Sequence, residues 1–203
     1  MSNETKVKER PILFSSPMVR AILEGRKTQT RRKVKLPIKD PLTGCEIAGC
    51  EINSLLRQGE EICKHGVPGD RLWVRETFQL HTTLAGIRVT YREGEVDAWI
   101  EPPETWEGIP DDNHWRPCLF MPRWASRITL EIEAVRVERL QEIGEEDALA
   151  EGCNGDCPVG HIPSHKKSPC VYHYAQLWES INGPGSWDAN PWVWVIQFMR
   201  VQP

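Results

Sequence analysis

Long apolar runs are what this 203-residue chain most lacks, the longest being the five residues from Trp192 to Ile196. A membrane-crossing helix needs about 20 such residues, so that class is excluded. Near the start only Ile12, Leu13 and Phe14 are consecutive apolar residues, too few for a signal-peptide core. The expected location is therefore cytoplasmic, with no membrane partner. Also missing are a glycine-rich phosphate loop, a His-Glu-x-x-His and a Gly-x-Ser-x-Gly. Without them, nucleoside-triphosphate, zinc-protease and serine-hydrolase chemistry find no support. Tyrosine and phenylalanine are scarce, three and four against nine tryptophans.

The net charge is small, −4, but unevenly spread. Residues 1–39 carry eleven Lys or Arg and three Glu, a net +8 that leaves −12 for the rest. A basic end on an acidic body suits contact with nucleic acid or another anion, or a solvated face paired with that body. Seven cysteines fall into two groups, Cys45, Cys50 and Cys63, then Cys153, Cys157 and Cys170, with Cys118 apart. Cys153, Cys157, His161, His165 and Cys170 are metal-ligand types, but their spacing matches no common zinc pattern. Reduced loop cysteines are the expectation, with neither metal nor organic cofactor.

A chain of this length buries about 70% of its unfolded surface, enough for one core without staples. The reading is a flexible tail over 1–10 and one domain over 11–203, with loop insertions near 37–68, 93–122 and 153–170. Residues 11–15 read as a short strand. A helix follows, with Ser16 as N-cap, Pro17 in the first turn, Val19, Ile22 and Leu23 as its stripe, and Gly25 past its end. Strands are expected over 71–78, 87–92, 127–140 and 192–201, the third slipping phase near Ala134 as at a bulge. The last is apolar on both faces, as a central strand is. Helices are expected over 145–151 and 172–182, the latter with Leu177, Trp178 and Ile181 on its apolar side. Such an order predicts an α+β fold with a curled or barrelled sheet.

The densest chemistry lies in GRKTQTRRK, residues 25–33, where five of the eight residues from Arg26 to Lys33 are basic. An extended segment over 28–32 puts Thr28, Thr30 and Arg32 on one face, with Lys27 in the turn before them. Crowded like charges and partial burial push an ammonium toward a pKa of about 7–8, where it serves as a base. A threonine hydroxyl becomes a nucleophile only beside such a base. The same residues also suit a cationic turn that binds phosphate.

Gly25-x-Lys27-x-x-Thr30-x-Arg32 resembles the G-x-K-x-x-E-x-R signature of the ASCH family, whose fold is similar to the PUA RNA-binding barrel. Thr30 stands where many members have Glu. The same replacement marks the small bacterial ASCH proteins that hydrolyse N(4)-acetylcytidine, whose GRKTxTxR segment residues 25–32 resemble. That resemblance implies a catalytic triad of Lys27, Thr30 and Glu151, the last from the Ala150-Glu151 pair ending the 145–151 helix. It also implies a cytidine derivative, free or within RNA, as partner. ASCH proteins of phages and prophages are similar over PILFS (11–15), GDRLWVRET (69–77), MPRWASRI (121–128), LWESIN (177–182) and NPWVWV (190–195).

Further candidates for substrate contact are Arg32, Glu76, Arg123, Trp124, Ser126 and Arg127. Arginine pairs with phosphate or a base edge, and an indole stacks on a base. Glu76 reads either as a brace for Arg32 or Lys27 or as half of an internal ion pair. Trp187, Trp192 and Trp194 suit packing or a stacking platform. Three functions follow: amidohydrolase on an acylated cytidine, nucleic-acid-binding module without chemistry, or ribonuclease.

Overall fold

A strand apolar on both faces needs cover on both, and β10 (Trp192–Val201) has it. The structure, a computed structural model, describes residues 7–40, 43–83, 86–93, 98–100, 114–153 and 169–201. Strand β10 pairs antiparallel with β9 (Thr129–Arg139) on one side and β2 (Gln29–Lys33) on the other. Beyond β9, β5 (Arg71–Arg75) runs antiparallel to it and β1 (Glu9–Leu13) parallel to β5, giving the order β1-β5-β9-β10-β2. Trp194, Ile196 and Phe198 face a core shared with α1 (Ser16–Leu23) and α2 (Ile52–Arg57). Val193 and Val195 face a second core, built with α3 (Glu145–Ala150) and α4 (Pro169–Asn182).

The architecture is α+β. The five-stranded sheet ends on β1 and β2, and among the described residues no backbone pairing joins those two edges. A side chain spans that seam instead, with Arg32 Nη2 of β2 donating to the Leu13 carbonyl at 2.7 Å. The bulge falls where the phase slip places it. Gln197 pairs with Ala134 but Phe198 with Ile132, so Glu133 has no residue opposite.

The expected elements differ in several places. The first strand begins at Glu9, because Asp70 accepts from the Lys8 backbone at 3.0 Å and from Arg10, tying in the end of the expected tail. Residues 1–6 lie outside the described residues. Ser15 rather than Ser16 is the N-cap of α1, and Gly25 (φ 75°) ends that turn. The expected strand over 71–78 breaks after Arg75, since the chain leaves for a second sheet. There β6 (Phe78–Thr83), β7 (Gly86–Tyr91) and β8 (Ala98–Ile100) pair in sequence. The expected loop over 37–68 holds a hairpin of β3 (Ile38–Lys39) and β4 (Glu46–Ile47), then α2. Within 93–122, besides β8, residues Cys118–Phe120 form a 3₁₀ turn.

Candidate active site

The chain leaves α1 through Gly25 and brings Lys27 against the end of α3, where Lys27 and Glu151 form an isolated antiparallel bridge. Thr28 fastens the crossing at main-chain level. Its N–H donates to the Ala150 carbonyl and its carbonyl accepts from Phe198 N–H, each at 2.9 Å. Gly152 makes the approach possible. It adopts φ 91°, and a Cβ there would lie 2.9 Å from Ala21 Cβ and 3.1 Å from Lys27 Cβ. A side chain at this position would be strained in its backbone and would crowd the lysine.

Lys27 is 2% exposed. Its Nζ donates to the Gln29 carbonyl at 2.7 Å, and to the Glu151 carbonyl and Glu151 Oε2 at 2.8 Å each. An ammonium has three protons, and all three are placed. Burial holds its pKa below the usual lysine range; Glu151 opposes that shift, and Arg32 and Arg31 add to it. Across the edge strand, Glu151 Oε1 accepts from Arg31 Nη1 at 3.2 Å. Arg31 Nη2 reaches Glu138 at 2.5 Å and Asp147 at 2.7 Å. Burial alone would lower the Arg31 pKa, but Glu151 and Glu138 raise it. Glu151 thus bridges two cations, one oxygen on the lysine and the other on the arginine.

Thr30 is 1% exposed, and its Oγ1 accepts from Arg32 Nη1 at 2.9 Å. The Arg32 guanidinium lies 5.2 Å from the Phe14 ring centroid, and Lys27 Nζ lies 5.7 Å from the same ring. Among the described residues no hydrogen bond joins Lys27 to Thr30. The structure therefore brings the amine and the carboxylate into contact at the strand crossing, while the hydroxyl, three residues further along the chain, is held by Arg32.

Glu151, Arg31 and Arg32 border a cleft of about 390 Å³ at the seam between the two sheet edges. Its lining includes Leu13, Phe14, Arg31, Arg32, Lys33, Glu151, Tyr174, Trp178 and Ile181. An adjoining lobe of about 240 Å³ shares Ser15, Met18, Glu151, Tyr174 and Leu177 with it. The larger space falls within the range of about 300–1,000 Å³ typical of small-molecule sites. Neither lining includes Lys27 or Thr30. A buried lysine with a lowered pKa, paired to a carboxylate that faces a cleft, is equipped to exchange a proton with a bound molecule. Set against protein-family models, curated proteins and solved structures, the chain matches none.

The other expected contacts sit elsewhere, in the ground between the two sheets. Arg127 makes a two-pronged bond to Glu76, at 2.9 and 2.8 Å, and stacks 4.0 Å from the Tyr91 ring centroid. Glu76 therefore braces Arg127, not Arg32 or Lys27. Arg123 pairs with Glu9 at 2.8 Å on the surface, and Ser126 Oγ donates to the Val74 carbonyl at 2.8 Å. Trp124 packs on the buried cluster of Phe78, Val89 and Met121. None of these five lines the cleft. The tryptophans form no common platform: Trp194 is in the main core, Trp192 lies beneath Arg139, and Trp187 meets the Tyr174 ring edge-on.

Of the five possible metal ligands, Cys157, His161 and His165 lie outside the described residues. Cys153 and Cys170 are neighbours, the Cys153 thiol 3.7 Å from the Cys170 carbonyl. Among the described residues no group of three or more His, Cys, Asp or Glu is placed to hold a metal ion. Sequence reasoning missed Arg31, the hub of the carboxylate network, because attention to the Thr30 face passes over the residue between. It also missed Tyr174, although 174, 177, 178 and 181 follow the helical spacing that picks out Leu177, Trp178 and Ile181.

Proposed function

We propose that the chain is an ASCH-type protein with a PUA-like sheet, acting in the cytoplasm as an amidohydrolase on the exocyclic acyl amide of an N(4)-acylated cytidine. The observation that carries the reading is the buried Lys27–Glu151 ion pair. Two segments 124 residues apart meet there, beside Thr30 and at the wall of a cleft of nucleoside size. The resemblance of residues 25–32 to the N(4)-acetylcytidine hydrolases supplies the substrate class.

The proposed proton path runs through these three residues and requires the Thr30 hydroxyl, held by Arg32 at rest, to turn toward the Lys27 amine. Lys27 passes a proton to Glu151 across their 2.8 Å contact, leaving a neutral amine and a carboxylic acid. The amine takes the Thr30 proton, Thr30 Oγ bonds to the acyl carbon, and the carbonyl π pair moves onto its oxygen. Collapse breaks the carbon–nitrogen bond, and Glu151 protonates the departing cytidine amine. Water then hydrolyses the threonine ester by the same route, releasing the carboxylic acid. Arg32 must turn its N–H from Thr30 Oγ1 to the developing oxyanion, a contact worth about 3–4 kcal/mol.

One observation favours a second reading, a binding module of the same fold without chemistry. All three Lys27 protons are satisfied and Thr30 is sealed beneath Arg32. Incubating the protein with N(4)-acetylcytidine, and following the ultraviolet change to cytidine, decides between them. The hydrolase reading expects turnover that Thr30→Ala reduces at least about 10³-fold with the melting temperature held, in line with loss of a nucleophile. Full activity in Thr30→Ala removes the mechanism, and an inert wild type leaves the binding module.

A further inference from the structure

Apart from Lys33, which is exposed to solvent, the cations around the cleft are already engaged. Arg31 serves Glu138, Asp147 and Glu151; Arg32 serves Thr30 and the Leu13 and Arg31 carbonyls; Lys27 has three acceptors. A ligand with a carbonyl oxygen needs a donor that folding has not consumed, since an acceptor buried without a partner costs affinity. Tyr174 meets that need. It lines both lobes of the cleft, is 5% exposed, and its hydroxyl has no hydrogen-bond partner among the described residues. Its ring is fixed on both sides, 6.3 Å from the Trp178 ring centroid and 6.4 Å from that of Trp187. Arg31 lies over the same ring at 5.9 Å.

Resting on the hydrolase reading for the identity of the ligand, we infer that Tyr174 is a specificity-determining residue that donates its hydroxyl proton to the ring carbonyl of the cytosine. The phenol stays protonated throughout and takes no part in bond making. Burial and the neighbouring Glu151 raise its pKa well above the ordinary tyrosine value, which keeps it a donor at neutral pH. A neutral donor suits a neutral heterocycle, and the rigid ring loses little rotational freedom on binding.

The test is Tyr174→Phe, which keeps the ring packing and deletes one oxygen. With N(4)-acetylcytidine, KM should rise about tenfold, the worth of one buried hydrogen bond, while kcat stays within threefold. With an N-acetylated aminopyridine, which lacks the ring carbonyl, the variant and wild type should have the same kcat/KM. An unchanged KM for the cytidine, or equal losses on both substrates, overturns the inference and leaves the hydrolase reading standing. If the wild type hydrolyses neither substrate, that reading fails, and titration with cytidine alone decides the role of Tyr174. Binding about tenfold weaker in Tyr174→Phe supports it, and equal binding or none in both proteins overturns it.

Discussion

Among the described residues, two of the buried ion pairs, Glu76–Arg127 and Lys27–Glu151, differ in what surrounds them. Glu76 and Arg127 meet at 2.8 Å, and Arg127 is further held by the Tyr91 ring and the Glu93 carbonyl. Lys27 and Glu151 also meet at 2.8 Å, but the carboxylate forms part of a cleft wall and continues into Arg31, Asp147, Glu138 and Arg136. The first pair fills space between two sheets. The second borders space that a small molecule can enter. A buried ion pair is thus no indication of a site until its surroundings are known, because desolvation and pairing are the same in both.

The comparison is tested most severely by removing each carboxylate. Glu76→Ala strands Arg127 with one backbone acceptor and a ring, and should cost about 3–5 kcal/mol of stability. Glu151→Ala should cost less than Glu76→Ala, since Arg31 keeps two carboxylates and Lys27 two carbonyls. Denaturant unfolding of both variants measures the order, and the reverse order would break the contrast.

A smaller effect sharpens it through pH. Burial pulls the Asp147 carboxyl upward, but Arg31 and Arg136 outweigh it and hold its pKa below 3.8. Its contribution to stability is therefore present above pH 3.8 and lost as the pH falls through the lowered folded value. Glu76 runs the other way. Burial raises its pKa above 4.5 against the pull of Arg127, so ionising it weakens the fold as the pH climbs from 4.5 through the raised value. Melting temperatures across the acid range should show Asp147→Asn losing the first slope and Glu76→Gln the second. Matching slopes in the two variants would refute the assignment. Smallest of all is Arg123→Ala. Its pair with Glu9 is two-fifths exposed, and its loss should change stability by about 0–1 kcal/mol in the same unfolding assay.

How much was legible in the sequence follows the same division between local pattern and long-range partnership. The two-faced apolar run of β10, the bulge beside Ala134 and the helices over 145–151 and 172–182 are local signals, and each has its counterpart in the fold. The break after Arg75 was not legible, because the apolar pattern of 71–78 continues while the hydrogen-bond partners change sheet. At the site, alternation along residues 28–32 put Thr30 and Arg32 together, and they touch. No local signal shows that Glu76 pairs with Arg127 across 51 residues, or that Arg31 gathers three carboxylates from 107 to 120 residues away. Those choices depend on which strands become neighbours.

The double fastening of Thr28 bears on how this protein can vary over time. Because the strand crossing is tied by peptide groups on both sides, part of what holds the bend is independent of the side chains at 27 and 30. That main-chain fastening survives an exchange at either position. Gly152 is the exception, since any bulkier residue would push the two segments apart.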